Sequence, residues 1–217
     1  MNENNNRNYT KVDNEMSLAS YNAVIGGVLL WGFALSAVIV WLAGDYFLSW
    51  NPFALIIVYL IVSFIGAHIS HTSTDPIISF IGYNLVVLPF GLVLSVILYD
   101  ITAVSILHAL AVTAGVMLAM ILLSTAVPRI FLRMGGILLA TLATVIIIEI
   151  LCLVFGWYHP TVIDWIIVIA FSLYIGYDWA VAQEKPHTLD NAIDSCVDLY
   201  IDAVNMFARI ASIDDDR

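Results

Sequence analysis

Three aspartates spaced by four, Asp194, Asp198 and Asp202, run through the last apolar stretch of the chain, and Asp178 stands near the end of the stretch before it. On a helix turning about 100° per residue, with Asp194 at zero, Asp198 falls near 40°, Asp202 near 80°, Asn205 near 20° and Arg209 near 60°. Five polar groups therefore share one narrow stripe. Asp202 is flanked by Leu199, Tyr200, Ile201, Ala203 and Val204, roughly 12 Å along the helix from Asp194. An ionisable group so placed faces a protein interior or water and is a candidate for function. Asp178 closes the run Phe171-Ser-Leu-Tyr-Ile-Gly-Tyr-Asp178, and an isolated charge there needs a partner. Two carboxylates held close in a medium of low dielectric share one proton, and losing it adds a charge that is relieved by separation, water or a cation. Carboxylate oxygens suit a hard cation such as Ca²⁺. For Asp194 a second reading stays open, a cap at the helix start after Asn191, and the whole segment reads alternatively as an amphipathic surface helix.

The elements that must position these groups are membrane spans. Of 217 residues, 62% are hydrophobic and 11% charged, and the mean hydropathy is +0.97, too apolar a chain to coat a soluble globule. Apolar runs of about 20 residues, the length that crosses a bilayer, are expected over Ala23 to Ala43, Phe53 to Ile69, Ile77 to Tyr99, Ala103 to Val127, Met134 to Trp157 and Val162 to Ala182. The acidic stretch Ala192 to Ile213 is the seventh. Residues 1–22 read as a polar tail, 23–213 as one transmembrane domain and 214–217 as an acidic tail. Tight turns are expected at Trp50-Asn51-Pro52, Thr74-Asp75-Pro76, Tyr99-Asp100, Pro128-Arg129 and Tyr158-His159-Pro160, with one longer linker from Gln183 to Asp190. No removable signal segment is expected.

The seven basic residues, Arg7, Lys11, Arg129, Arg133, Lys185, Arg209 and Arg217, leave the odd-numbered loops bare, which places the N-terminus in the cytoplasm by the positive-inside rule. A net charge of −10 argues against nucleic acid as a partner. Cys152 and Cys196 lie in apolar segments and form no disulfide or zinc pattern. Asp164 reads as a cap near the start of span six. Glu149, inside span five, reads either as a further proton or ion site or as a partner of a neighbouring Thr or Ser.

The run Phe171 to Asp178, followed by Leu199-Tyr-Ile-Asp202-Ala-Val-Asn205-Met-Phe207, resembles the signature of the transmembrane Bax inhibitor motif family, as found in its bacterial members. The similarity is specific over about Val162 to Ile213 and architectural before it. It implies an all-α bundle of seven transmembrane helices with the C-terminal helix at its centre, and a pH-sensing pair between helices six and seven that carries over to Asp178 and Asp202. It implies a pH-dependent calcium leak rather than an enzyme, with no cofactor, Ca²⁺ and H⁺ as the ions, and Asp178 and Asp202 as Ca²⁺ contacts. Tyr174, Asp194, Asp198, Asn205 and Arg209 would line or support the path in a monomer of a bacterial plasma membrane. One feature departs from the family. No Lys or Arg occurs between Lys11 and Arg129, where the family commonly places a basic group that latches onto the aspartates. His68 and His71 stand in that region, either as interfacial histidines or as a latch that titrates near neutral pH.

Other chemistries fit less well. Intramembrane aspartyl proteolysis uses two aspartates, one as acid and one as base; Tyr177-Asp178 matches half of that pattern, but Leu199-Tyr200-Ile201 precedes Asp202 in place of a glycine-bearing run. A zinc site from His68, His71 and His108 has no histidine in span seven to complete it. Retinal needs an intramembrane lysine, and the two lysines, Lys11 and Lys185, lie outside the spans. A proton-coupled carrier of a small solute would use the same acids.

Overall fold

A computed structural model describes residues 15–47, 49–155 and 161–215, and among them it is all helix. The helices are α1 (Leu18–Phe47), α2 (Pro52–Thr72), α3 (Pro76–Ile97), α4 (Ala103–Ala126), α5 (Pro128–Leu132), α6 (Gly135–Phe155), α7 (Thr161–Glu184) and α8 (Leu189–Asp215). Six of them, α1, α2, α3, α4, α6 and α7, are long and apolar enough to cross a membrane. They coincide with the six apolar runs read from the sequence.

Local chemistry sets the boundaries. Pro52, Pro76 and Pro128 each open a helix, where proline's missing N–H is no loss and its fixed φ fits. Asp75 caps α3 by accepting from the Ile77 N–H at 2.8 Å, and Thr102 caps α4 through the Ser105 N–H. Three expectations shift. The helix α1 begins at Leu18 rather than Ala23, with Ser17 Oγ accepting from the Ser20 N–H. The turn expected at Pro128-Arg129 is the short helix α5, because Pro128 starts a turn instead of merely ending one. The linker expected over Gln183 to Asp190 shrinks to four residues between Glu184 and Leu189. The turn at Tyr158-His159-Pro160 lies outside the described residues.

The peripheral helices present apolar side chains outward, Trp41 at 82% and Phe64 at 76% exposed, as lipid-facing surfaces do. The backbones of α2 and α3 touch at two glycines. A Cβ on Gly82 would stand 2.6 Å from the Gly66 carbonyl and 2.7 Å from the Ser70 nitrogen. In lipid such small-residue contacts replace the hydrophobic drive that packs soluble helices.

The least apolar long helix is the most enclosed. α8 packs against α7, α4, α1, α3 and α2, and most of its 27 residues are buried. Tyr200 anchors the face turned from the acids: its ring packs with Phe33, Tyr83 and Phe90, and its hydroxyl pairs with Ser36 Oγ at 2.6 Å. The far end of α8 continues through residues expected to be a tail. Asp215 Oδ1 accepts from the Thr102 N–H at 3.0 Å, and Asp214 lies 3.1 Å from His108 Nδ1.

Candidate functional site

α8 carries four acids at intervals of four, because Asp190 extends the row of Asp194, Asp198 and Asp202 by one turn. Each rung has a partner on another helix. Ser79 Oγ of α3 donates to Asp190 Oδ1 at 2.6 Å, and Ser70 Oγ of α2 donates to Asp194 Oδ1 at 2.6 Å. His71 Nε2, in the last turn of α2, lies 3.2 Å from Asp198 Oδ1. Asp202 faces Asp178 of α7. The change of partner follows from helix geometry: four residues turn about 400°, so each rung is rotated about 40° from the last. The row is thus a ribbon that winds from α3 past α2 to α7.

The rungs differ in burial. Asp194 is 6% and Asp202 5% exposed, whereas the side chains of His71 and Asp198 keep 35% and 39% of their surface. The hydrogen bond from Ser70 is charge-assisted, which suits a buried carboxylate. Asp202 has no such donor. Its Oδ2 is buried and meets no N–H or hydroxyl among the described residues, while its carboxyl lies within hydrogen-bonding reach of Asp178. A carboxylate has no hydrogen to give, so this contact is a bond only when the two acids hold a proton between them.

Of the other sequence candidates, Tyr174 lies one turn before Asp178, close enough to interact with both aspartates. Asn205 turns its amide to its own helix, donating to the Ile201 carbonyl at 2.8 Å. His71 joins the ladder, whereas the exposed His68 is not among its partners. Arg209 is not a rung of the acid ladder: its guanidinium pairs with Glu149 of α6, and through Nη1 with Asp164 of α7 at 2.9 Å. Asp164, expected near the start of span six as a cap, lies in the first turn of α7 and also joins an ion pair between helices, because Arg209 arrives beside it from α8. Glu149 takes an arginine from 60 residues downstream rather than only a neighbouring Thr or Ser.

Among the described residues, no three His, Cys, Asp or Glu side chains gather closely enough to hold a metal ion. Asp178 and Asp202 are thus a pair of acids without a third His, Cys, Asp or Glu gathered beside them among the described residues. Ser70, Ser79 and Asp190 complete the ladder without having been singled out beforehand. For Asp190 the signal was present, since Thr188 opens α8 by accepting from the Asn191 N–H at 3.2 Å and an acid in the first turn suits a helix start.

No curated protein matches the chain. A family model, inhibitor of apoptosis-promoting Bax1, matches residues 14–214, from before α1 almost to the end of α8. That span reaches well beyond the last two long helices, where the recognisable motifs lie. The chain belongs to the Bax inhibitor family.

Proposed function

We propose that this protein is a pH-sensitive calcium leak in which α8 is a seventh transmembrane helix at the centre of the bundle, and Asp178 and Asp202 are the sensor. With a proton between them the two carboxyls hold α7 against α8 and the path is closed. Loss of that proton sets two charges side by side in a medium of low dielectric; the helices part, and Ca²⁺ passes along the acids of α8. The observation that carries the reading is the Asp202 carboxyl, 5% exposed, with a buried oxygen that meets no donor and a second carboxyl against it. Family membership supports a membrane protein of this type.

The basic residues before α1, around α5 and between α7 and α8 put the N-terminus in the cytoplasm. The Met16 N–H bonds to the His187 carbonyl at 2.8 Å, so the start of α1 and the start of α8 share one side, as that orientation requires. Asp190 and Asp194 then lie towards the cytoplasm, and Arg209 towards the outside. A monomer in a bacterial plasma membrane completes the reading. A pair of carboxylates without a third acid beside it among the described residues suits passage rather than storage, because weak binding lets an ion leave.

The test is calcium entry into liposomes that enclose a calcium dye, measured between about pH 6 and about pH 8, the range that histidines and shared carboxyl pairs span. Wild-type flux rises with pH, and Asp178→Asn and Asp202→Asn flatten the dependence. An identical pH response in all three proteins overturns the sensor.

A further inference from the structure

Arg209 lies seven residues beyond Asp202 on α8, about 10 Å further along the axis and within about 20° of the same face. Its guanidinium spans two helices, pairing with Glu149 Oε1 of α6 and Asp164 Oδ1 of α7. The three side chains are largely covered, at 33%, 30% and 18% exposure. The helix α6 packs chiefly on α7, and this ion triad ties it directly to α8. Arginine does not lose its charge in a protein, so beyond Asp202 this face of α8 carries a fixed positive group held between two carboxylates. Paired with two acids, that group is also a clasp across three helices.

Resting on the leak reading above, we propose that Arg209, Glu149 and Asp164 form a second gate, an ionic plug at the far end of the path from the mouth at Asp190. Arg209 occupies, with its own fixed charge, the place between Glu149 and Asp164 that a passing cation would take, and the two carboxylates hold it there. The plug is separate from the aspartate sensor. Proton loss at Asp178 and Asp202 opens the middle of the path, and flux then depends on how far Arg209 is neutralised or drawn aside.

The experiment compares calcium flux into dye-loaded liposomes for wild type, Arg209→Gln, Arg209→Lys and the double variant Glu149→Gln/Asp164→Asn, with folding checked by gel filtration of each purified protein. Arg209→Gln raises flux severalfold and keeps the wild-type pH dependence. Arg209→Lys, which retains the charge, stays near wild type. The double variant leaves Arg209 uncompensated, and its flux falls below wild type. A clasp that acted only as a structural tie would leak more in both the Arg209→Gln and the double variant, and that result overturns the proposal. Unchanged flux in both overturns it as well. If the plug fails while Asp178→Asn still alters the pH response, the sensor reading stands; if the wild type carries no calcium, both fall together.

Discussion

Replacing Ser70 by alanine removes a single hydroxyl from a place where nothing can substitute for it. Ser70 is fully buried, at 0% exposure, and donates to Asp194, itself 6% exposed, at 2.6 Å. Alanine keeps the Cβ, so the close contact of α2 with α3 at Gly82 is undisturbed and no large cavity opens. What is lost is a hydrogen bond to a charged group, worth about 1.5–3 kcal/mol, together with the solvation that Asp194 cannot recover. Taking about 2 kcal/mol, and roughly 2–4 °C per kcal/mol for a domain of this size, Ser70→Ala lowers the melting temperature by about 4–8 °C. Cys196 is fully buried and forms no disulfide, so with the partly exposed Cys152 replaced by serine throughout, a dye that fluoresces on reacting with thiols reports unfolding in detergent. The companion Ser70→Ala/Asp194→Asn variant separates the bond from general damage, because without the charge the missing hydroxyl costs less; the double variant is less destabilised than the two single losses added together. A Ser70→Ala protein that melts with the wild type, or strict additivity in the cycle, would refute the claim that the second rung is held by this bond.

Other perturbations probe the surrounding packing and the outermost latch. His71→Gln keeps a donor near Asp198 but cannot take a proton; with both side chains over a third exposed, stability changes by no more than about 0.5 kcal/mol. In the liposome assay the same variant leaks more than wild type near pH 6, where the histidine would be charged, and equally near pH 8; equal flux at both ends argues against a histidine latch. Gly82→Ala places a Cβ 2.6 Å from the Gly66 carbonyl, a clash with backbone that costs about 1–3 kcal/mol in the thiol-dye melt. The Ser70 nitrogen lies 2.7 Å from that Cβ, so the variant also disturbs the second rung, and wild-type melting would show that the α2–α3 contact is looser than described.

The spans were legible because lipid demands long apolar runs, and the six runs read from the sequence are six of the helices. The last helix was legible for a different reason. Its acids recur every four residues, which a helix brings onto one face, and its remaining residues are too apolar to lie in water. Partnership was harder to see. Ser70 and Ser79 are two among several serines in apolar helices, and nothing local distinguishes one that bonds its own backbone, as Ser172 does to the Val168 carbonyl at 2.7 Å, from one that reaches another helix. Glu149 and Asp164 looked like separate curiosities, since the residue that joins them lies on α8, 45 positions or more away. Asp190 falls at the end of the expected linker, although Thr188 is a serviceable cap.

The winding of the acid row restricts how α8 can move. Residues four apart on a helix are related by a shift of about 6 Å and a turn of about 40°, so the row behaves like the thread of a bolt. Sliding without turning, or turning without sliding, carries every carboxylate off the group it faces in α2, α3 and α7. Only a screw motion of one such step, about 6 Å with a turn of about 40°, would set each carboxylate where its neighbour had been. Any smaller displacement unfastens all four contacts together, and that makes the opening of such a helix abrupt rather than graded.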